Sequence, residues 1–203
     1  MKQEKRTELT KEKIIMAATK EFGTNGYNGA SLNAICDAGI SKGLLYHNYE
    51  NKDAVYLACV KRCFETITAY LKNQQIGTNI QKYMSARLSF FRSHEAEAHL
   101  FFEALLQPPA LLREQIADIK KEFDNYNQNL YLQILSTVTL RSDVTQEDAL
   151  SYFSLIQNMF NGYFSSNTRE EVSFTDYITA HEEGLSKLID YMLYGIAERG
   201  IEK

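Results

Sequence analysis

Apolar positions recur along this chain at helical spacing, and the strict alternation that builds strands is almost absent. Only Pro108 and Pro109 interrupt 203 residues, so helix is expected nearly everywhere. Ile14, Ile15, Ala18 and Phe22 fall on one arc of a first helix, with Thr10 as predicted N-cap and Asn25-Gly26 as its end. Residues 1–9 read as a flexible tail ahead of it. Ser31 then caps a short second helix whose Leu32, Ile35 and Cys36 share a face; Gly39 ends it, and Ser41 caps a third. From Asn51 a longer helix runs towards Gln75 on Val55, Cys59, Val60, Cys63, Ile67 and Leu71, until Gly77-Thr78-Asn79 breaks it. Further helices are predicted at 80–92, 95–107, 109–139, 146–165 and 174–199. Pro109 suits a helix N1 position, and Thr145 with Asp148 has the spacing of a capping box. The pattern is all-α.

The stretch from Ser31 to Asp53 joins two very short helices through Ala38-Gly39-Ile40, where Gly39 can take positive φ and Ile40 can plug back into a core. Two short helices on a Gly turn are the signature of a helix-turn-helix. With Ser41 as cap, Leu45 and Tyr49 share the face that packs on Leu32 and Ile35. Gly43 and His47 fall opposite, flanked by Lys42, Leu44 and Tyr46. A helix of two turns would not persist alone, but held by packing its free face suits the DNA major groove. Helix starts at Ser31, Ser41 and Asn51-Lys52 offer N–H groups to phosphates, with Lys42 and Lys52 as charges and Tyr46 as a hydroxyl donor. Tyr46 and His47 as mere surface decoration is the plainer alternative.

Charge supports a nucleic-acid partner only locally. The net charge is −4, yet residues 1–63 carry 10 Lys/Arg against 7 Asp/Glu, while residues 64–203 carry 12 against 19. The three cysteines lack metal-ligand spacing, and Cys59 and Cys63 read as free buried thiols, in keeping with a cytoplasmic protein. No apolar run approaches the roughly 18–20 residues needed to span a bilayer, and the charged N-terminus has no secretory h-region, so no membrane role is expected.

Residues 13–56 resemble the DNA-binding domain of TetR-type transcriptional regulators. The family run Ala-Gly-Val-Ser-x-Gly-x-Leu-Tyr-x-x-Phe-x-x-Lys appears from Ala38 through Gly39, Ser41, Gly43, Leu45, Tyr46 and Tyr49 to Lys52. The upstream element appears as Ala17-Ala18, Phe22 and Gly26-Tyr27. Tyr49 stands for Phe, Asp53 for Glu, and Leu44 where a small polar residue is frequent. The resemblance implies a DNA-binding domain over residues 10–56, with helix 4 from about residue 51 connecting it to a larger helical effector-binding and dimerisation domain over 57–203. It implies a homodimer on a palindromic double-stranded operator, released by a small-molecule effector. By position, Ser31, Tyr46 and Lys52 match the family's phosphate contacts, and Lys42, Gly43, Leu44 and His47 its base-proximal positions. Leu44 would favour apolar contact with a thymine methyl.

Residues 64–203 hold 19 of the 24 aromatic side chains, interspersed with amides. Phe91, Phe102, Tyr126 and Phe160 are candidates for an effector pocket, or simply for an aromatic core. With no Arg or Lys cluster in an aromatic stretch and a net −7 body, the expected effector is neutral or cationic and largely apolar. Leu155, Met159, Leu185, Leu188 and Met192 form stripes on the last two helices that suit either a two-fold four-helix interface or packing within the chain. The four histidines form no metal or catalytic pattern, Glu95, Glu97 and Glu103 read as a solvated face, and no phosphate loop or nucleophile elbow is present. No metal, cofactor or enzymatic activity is therefore expected. The alternative is an all-α ligand-binding or adaptor protein whose head has lost DNA binding, supported by Leu44 and the modest basic charge.

Overall fold

The computed structural model describes residues 2–166 and 173–196. Among these the chain forms α1 (Lys2–Gly29), α2 (Leu32–Asp37), α3 (Lys42–Asn48), α4 (Lys52–Asn73), α5 (Ile80–Ser93) and α6 (Glu95–Leu106). A 3-10 turn (Ala110–Leu112) leads into α7 (Arg113–Leu135), followed by α8 (Gln146–Ser166) and α9 (Phe174–Ile196). The expected end of the last helix at residue 199 lies outside the described residues. Among the described residues no helix is long and apolar enough to cross a membrane.

Three helix ends differ from expectation. The expected tail at residues 1–9 is helical from Lys2 onward, and Thr10 sits inside α1 rather than capping it. Lys, Glu, Gln and Arg dominate that segment, and such straight side chains lose little freedom in a helix. Gly26, with φ 64 and ψ 176, interrupts α1 where the sequence placed its end. The helix predicted from Pro109 starts instead at Arg113: Pro109 is extended, with φ −51 and ψ 129, and precedes the 3-10 turn. It also stops at Leu135, where Thr137 N–H and Val138 N–H turn back to Ile134 O and Leu135 O. The capping box at α8 is present, Asp148 N–H donating to Thr145 Oγ1 and Thr145 N–H to Asp148 Oδ2.

The chain divides into two units, one of residues 1–66 with 94–121, the other of 67–93 with 122–203. The division is therefore not a single cut after residue 56, because α6 joins the N-terminal helices. In the first unit α1 packs on α6 and α2, and α2 on α3. Ile14, Ala18, Phe22, Ile35, Leu45, Val55 and Tyr56 fill the core. Phe22 and Tyr56 meet edge to face at 5.1 Å. Gly23 permits the close approach of α6: a Cβ there would lie 2.7 Å from the Ala96 Cα. In the second unit α9 packs on α5 and α8.

Gly39 has φ 90, a left-handed value that a β-branched side chain resists, while space around its missing Cβ is open. Gly39→Val is expected to cost about 1–3 kcal/mol through backbone strain alone. Thermal denaturation of the full chain checks this; an unchanged melting temperature would contradict the turn geometry.

Candidate nucleic-acid interface and effector cavity

α3 is only seven residues long, and its conformation is imposed by its ends and one anchor. Ser41 Oγ accepts the Leu44 N–H, while Tyr49 N–H closes the C-terminal turn on Leu45 O. Leu45 is 0% exposed, and Ile40 is also buried. Fully burying such a side chain is worth about 1.5–3 kcal/mol, which a helix this short requires. Lys42, Gly43, Leu44, Tyr46 and His47 are all exposed. Nothing lies within 4 Å of the place a Gly43 Cβ would take, so that point of the helix can approach another surface closely. Asn48 Nδ2 is committed to Leu44 O at 2.8 Å.

The remaining predicted positions sit at neighbouring helix starts. Ser31 Oγ caps α2 by accepting the Ala34 N–H, and Ser31 N–H donates to Glu21 Oε1 at 3.1 Å. Glu21 thus holds the N–H expected to await a phosphate. Asn51 Oδ1 caps α4 by accepting the Ala54 N–H. Lys52 Nζ donates to Asn28 O at 3.4 Å and lies 4.8 Å above the Tyr27 ring.

Sequence reasoning missed the group that fixes this corner. Tyr27 OH donates to Asp53 Oδ1 at 2.6 Å, a bond that raises the phenol to about 12. Glu103, expected on a solvated face, accepts the Tyr27 N–H and the Tyr56 hydroxyl, both at 2.8 Å. It ties α6 to the Gly26 kink and to α4. Only its place among Phe101, Phe102 and Ala104 hinted at this. Cys59 and Cys63 are buried free thiols, and burial pushes Cys59 up to about 12, too high for a reactive thiolate.

The second unit holds a partly open cavity of about 20 Å³, room for roughly one water molecule. Tyr83, Arg87, Asn127 and Gln157 bring polar groups to its wall, and Leu130, Ile134, Leu185 and Ile189 bring apolar ones. Phe91, Phe102, Tyr126 and Phe160 do not line it. Phe91 is buried over the Arg87 guanidinium, Phe102 is buried in the first unit, and Phe160 packs on His181. Phe91 and Phe102 are core residues, while Tyr126 and Phe160 are half-buried. A single cation does stand among the aromatics: the Arg87 guanidinium lies 5.6–5.7 Å from the Tyr83, Phe91 and Phe123 ring centres.

The candidate dimer stripe divides in two. Leu155 and Met159 are 56% and 61% exposed, whereas Leu185 and Met192 are buried within the chain and Leu188 is half-buried. Leu185 and Met192 therefore belong to the core. The exposed apolar positions are Tyr152, Leu155, Met159 and Tyr163 on α8 and Tyr191 and Tyr194 on α9.

Comparison with known proteins bears on the first unit most directly. Residues 14–59 match the family described as bacterial regulatory proteins, tetR family. The HTH-type transcriptional regulator RutR of Escherichia coli K12 is 29% identical over 120 residues, 56% of this chain and 57% of RutR. The biofilm operon icaADBC negative transcriptional regulator IcaR of Staphylococcus epidermidis is 29% identical over 128 residues, 62% of this chain and 67% of IcaR. The chain thus spans only a little over half the length of RutR. The fold extends further: the transcriptional regulator FadR of Bacillus subtilis, solved with stearoyl-CoA, superposes with a TM-score of 0.62 at 17% identity, covering 91% of this chain and 98% of FadR. An N-terminal helix-turn-helix followed by a larger helical body is the architecture of both chains. Residues 14–59 thus match the tetR family of bacterial regulatory proteins, and the whole chain shares its fold with solved regulators described as members of that family.

Proposed function

We propose that the protein is a ligand-responsive transcriptional repressor that binds an inverted-repeat operator as a homodimer and is released by a small, largely apolar effector. The observation that carries this reading is α3: one buried anchor, Leu45, and a free face of Lys42, Gly43, Leu44, Tyr46 and His47. A two-turn recognition helix reaches only a few base pairs, so a genomic site needs two copies, with heads about 34–36 Å apart or a multiple of that spacing. The exposed stripe of α8 and α9 supplies the apolar surface for pairing. IcaR, a negative regulator, and FadR, solved with stearoyl-CoA, support the repressor and ligand parts by analogy. Mobility shifts on the DNA flanking the protein's own reading frame, with selection from a random pool, test the reading. An inverted repeat is expected; failure to enrich any sequence, or a monomer on a single half-site, defeats it.

Two residues make separable predictions on the selected operator. Lys52→Ala is expected to weaken all DNA sequences about equally and to flatten the log–log salt dependence by about one ion, because a phosphate contact carries charge without base information. A changed sequence preference would refute that role. Leu44, 39% exposed, has only apolar surface to offer a base edge. Replacing thymine by deoxyuridine at one position per half-site is expected to weaken the wild type several-fold, by roughly 1 kcal/mol. Leu44→Ala should be indifferent to that methyl; equal losses in both proteins would exclude the contact.

A further inference from the structure

Arg87 and Glu182, 95 residues apart, form an ion pair inside the second unit, their side chains 2% and 1% exposed. Arg87 Nε and Nη2 donate to the two carboxylate oxygens at 2.7 and 2.8 Å, and Nη1 donates to Tyr83 OH at 3.1 Å. Tyr83 OH in turn donates to Asn127 Oδ1, and His181 Nδ1 lies 3.2 Å from Glu182 Oε1. Burial pushes the Glu182 carboxyl up, but Arg87 and His181 outweigh it and hold the carboxyl down at about 2. The pair is therefore ionised at neutral pH, and its charges cancel. Arg87, Tyr83 and Asn127 all reach the wall of the small cavity, and Gln157 adds a second amide there.

This arrangement decides which head group the cavity tolerates. A carboxylate placed against Arg87 adds a second anion to a site with one guanidinium, and displacing Glu182 leaves that carboxylate buried without its partner. A cation beside Glu182 creates the mirror problem at Arg87. Neutral donors and acceptors face no such penalty. The Asn127 oxygen is taken by Tyr83, so its NH2 group is the donor end, while Gln157 offers both a donor and an acceptor. We propose that the effector is an uncharged, largely apolar molecule bearing one hydrogen-bonding group, a hydroxyl, carbonyl or amide, held by Asn127 and Gln157, and that the Arg87–Glu182 pair excludes ions of either sign.

This inference rests on the reading of the second unit as the effector-binding part and names the ligand class for it. A ligand requires the cavity to enlarge, since drug-sized sites run to about 300–1,000 Å³. Phe153 is the wall member placed to yield. It is half-buried on α8, and its ring is stacked on Tyr131 at 4.0 Å with planes 14° apart. Swinging it away uncovers the Leu130–Ile134 face of α7 while the polar end stays in place.

A matched series with one alkyl chain isolates the head group: 1-octanol, octanamide, octanoate and octylammonium at pH 7, by calorimetry and thermal shift on the full chain. The alcohol and the amide are expected to bind at least ten-fold more tightly than either ion. Phe153→Ala should raise affinity for both neutral compounds by enlarging the cavity. Asn127→Leu should erase most of the preference for octanamide. Octanoate binding as tightly as octanamide would make Arg87 an anion receptor and overturn the proposal. Binding of octylammonium at that level would overturn it equally. So would the absence of binding to both wild type and Phe153→Ala. Operator binding by the same preparations is scored separately. A protein that shifts its operator yet takes none of the neutral compounds defeats this inference alone, and one that binds no DNA defeats the regulator reading.

Discussion

Leu155→Glu combined with Met159→Glu is expected to turn the protein into a folded monomer whose operator affinity falls by at least about 100-fold. The two residues lie one turn apart on α8, more than half exposed, in line with Tyr152 and Tyr163. Tyr191 and Tyr194 add exposed rings on α9, which packs on α8. In the proposed dimer these exposed apolar side chains are the pairing surface. Glutamates there cost little in a monomer but are desolvated, like beside like, across a two-fold contact. Losing the second head removes an intramolecular binding step, which is worth on the order of 10²–10⁴ in affinity. Sedimentation should show a monomer with unchanged helical content, and mobility shifts should show only weak binding. A variant that stays dimeric would move the interface elsewhere. Charges at Met192, which is 5% exposed, are instead expected to unfold the second unit.

Glu182→Ala is expected to be the most destabilising single truncation in the second unit, by about 3–5 kcal/mol, because it strands the Arg87 charge in the core. For a chain of this size that lowers the melting temperature by roughly 6–20 °C. The double variant Arg87→Met with Glu182→Leu removes both charges and should recover most of the loss, so the pair shows strong non-additivity. The pH dependence has a definite sign. Glu182 is depressed from its ordinary 4.5 to about 2, so its contribution is complete above about pH 4.5 and is lost as pH falls towards 2. Acid denaturation of the double variant should lack that component. A Glu182→Ala protein as stable as wild type would contradict the burial of the pair.

The head was legible because its determinants are local. Ser31, Gly39, Ser41 and Asn51 act on residues two to four positions away, and each does what its side chain or backbone freedom allows. The Thr145–Asp148 box was legible for the same reason. Glu103 and Arg87 were not. Arg87 stands at the i+4 position between Tyr83 and Phe91, so the apolar face of α5 passes through it. Glu182 interrupts the stripe of Ile178, Leu185 and Ile189 in the same way. A charge on an apolar face signals a buried partner, but not which one.

The sequence by itself determined the helical class, the helix-turn-helix and the residues its third helix leaves free, because caps, turns and a 3.6-residue period act within a few positions of themselves. Only the tertiary structure decided that α6 packs with the head, that Arg87 meets Glu182 across 95 residues, and that Leu155 is exposed while Met192 is buried. All three depend on which helix faces cover one another. Apolar burial is non-directional, so a stripe of leucines and methionines carries the drive to be covered without the identity of what covers it.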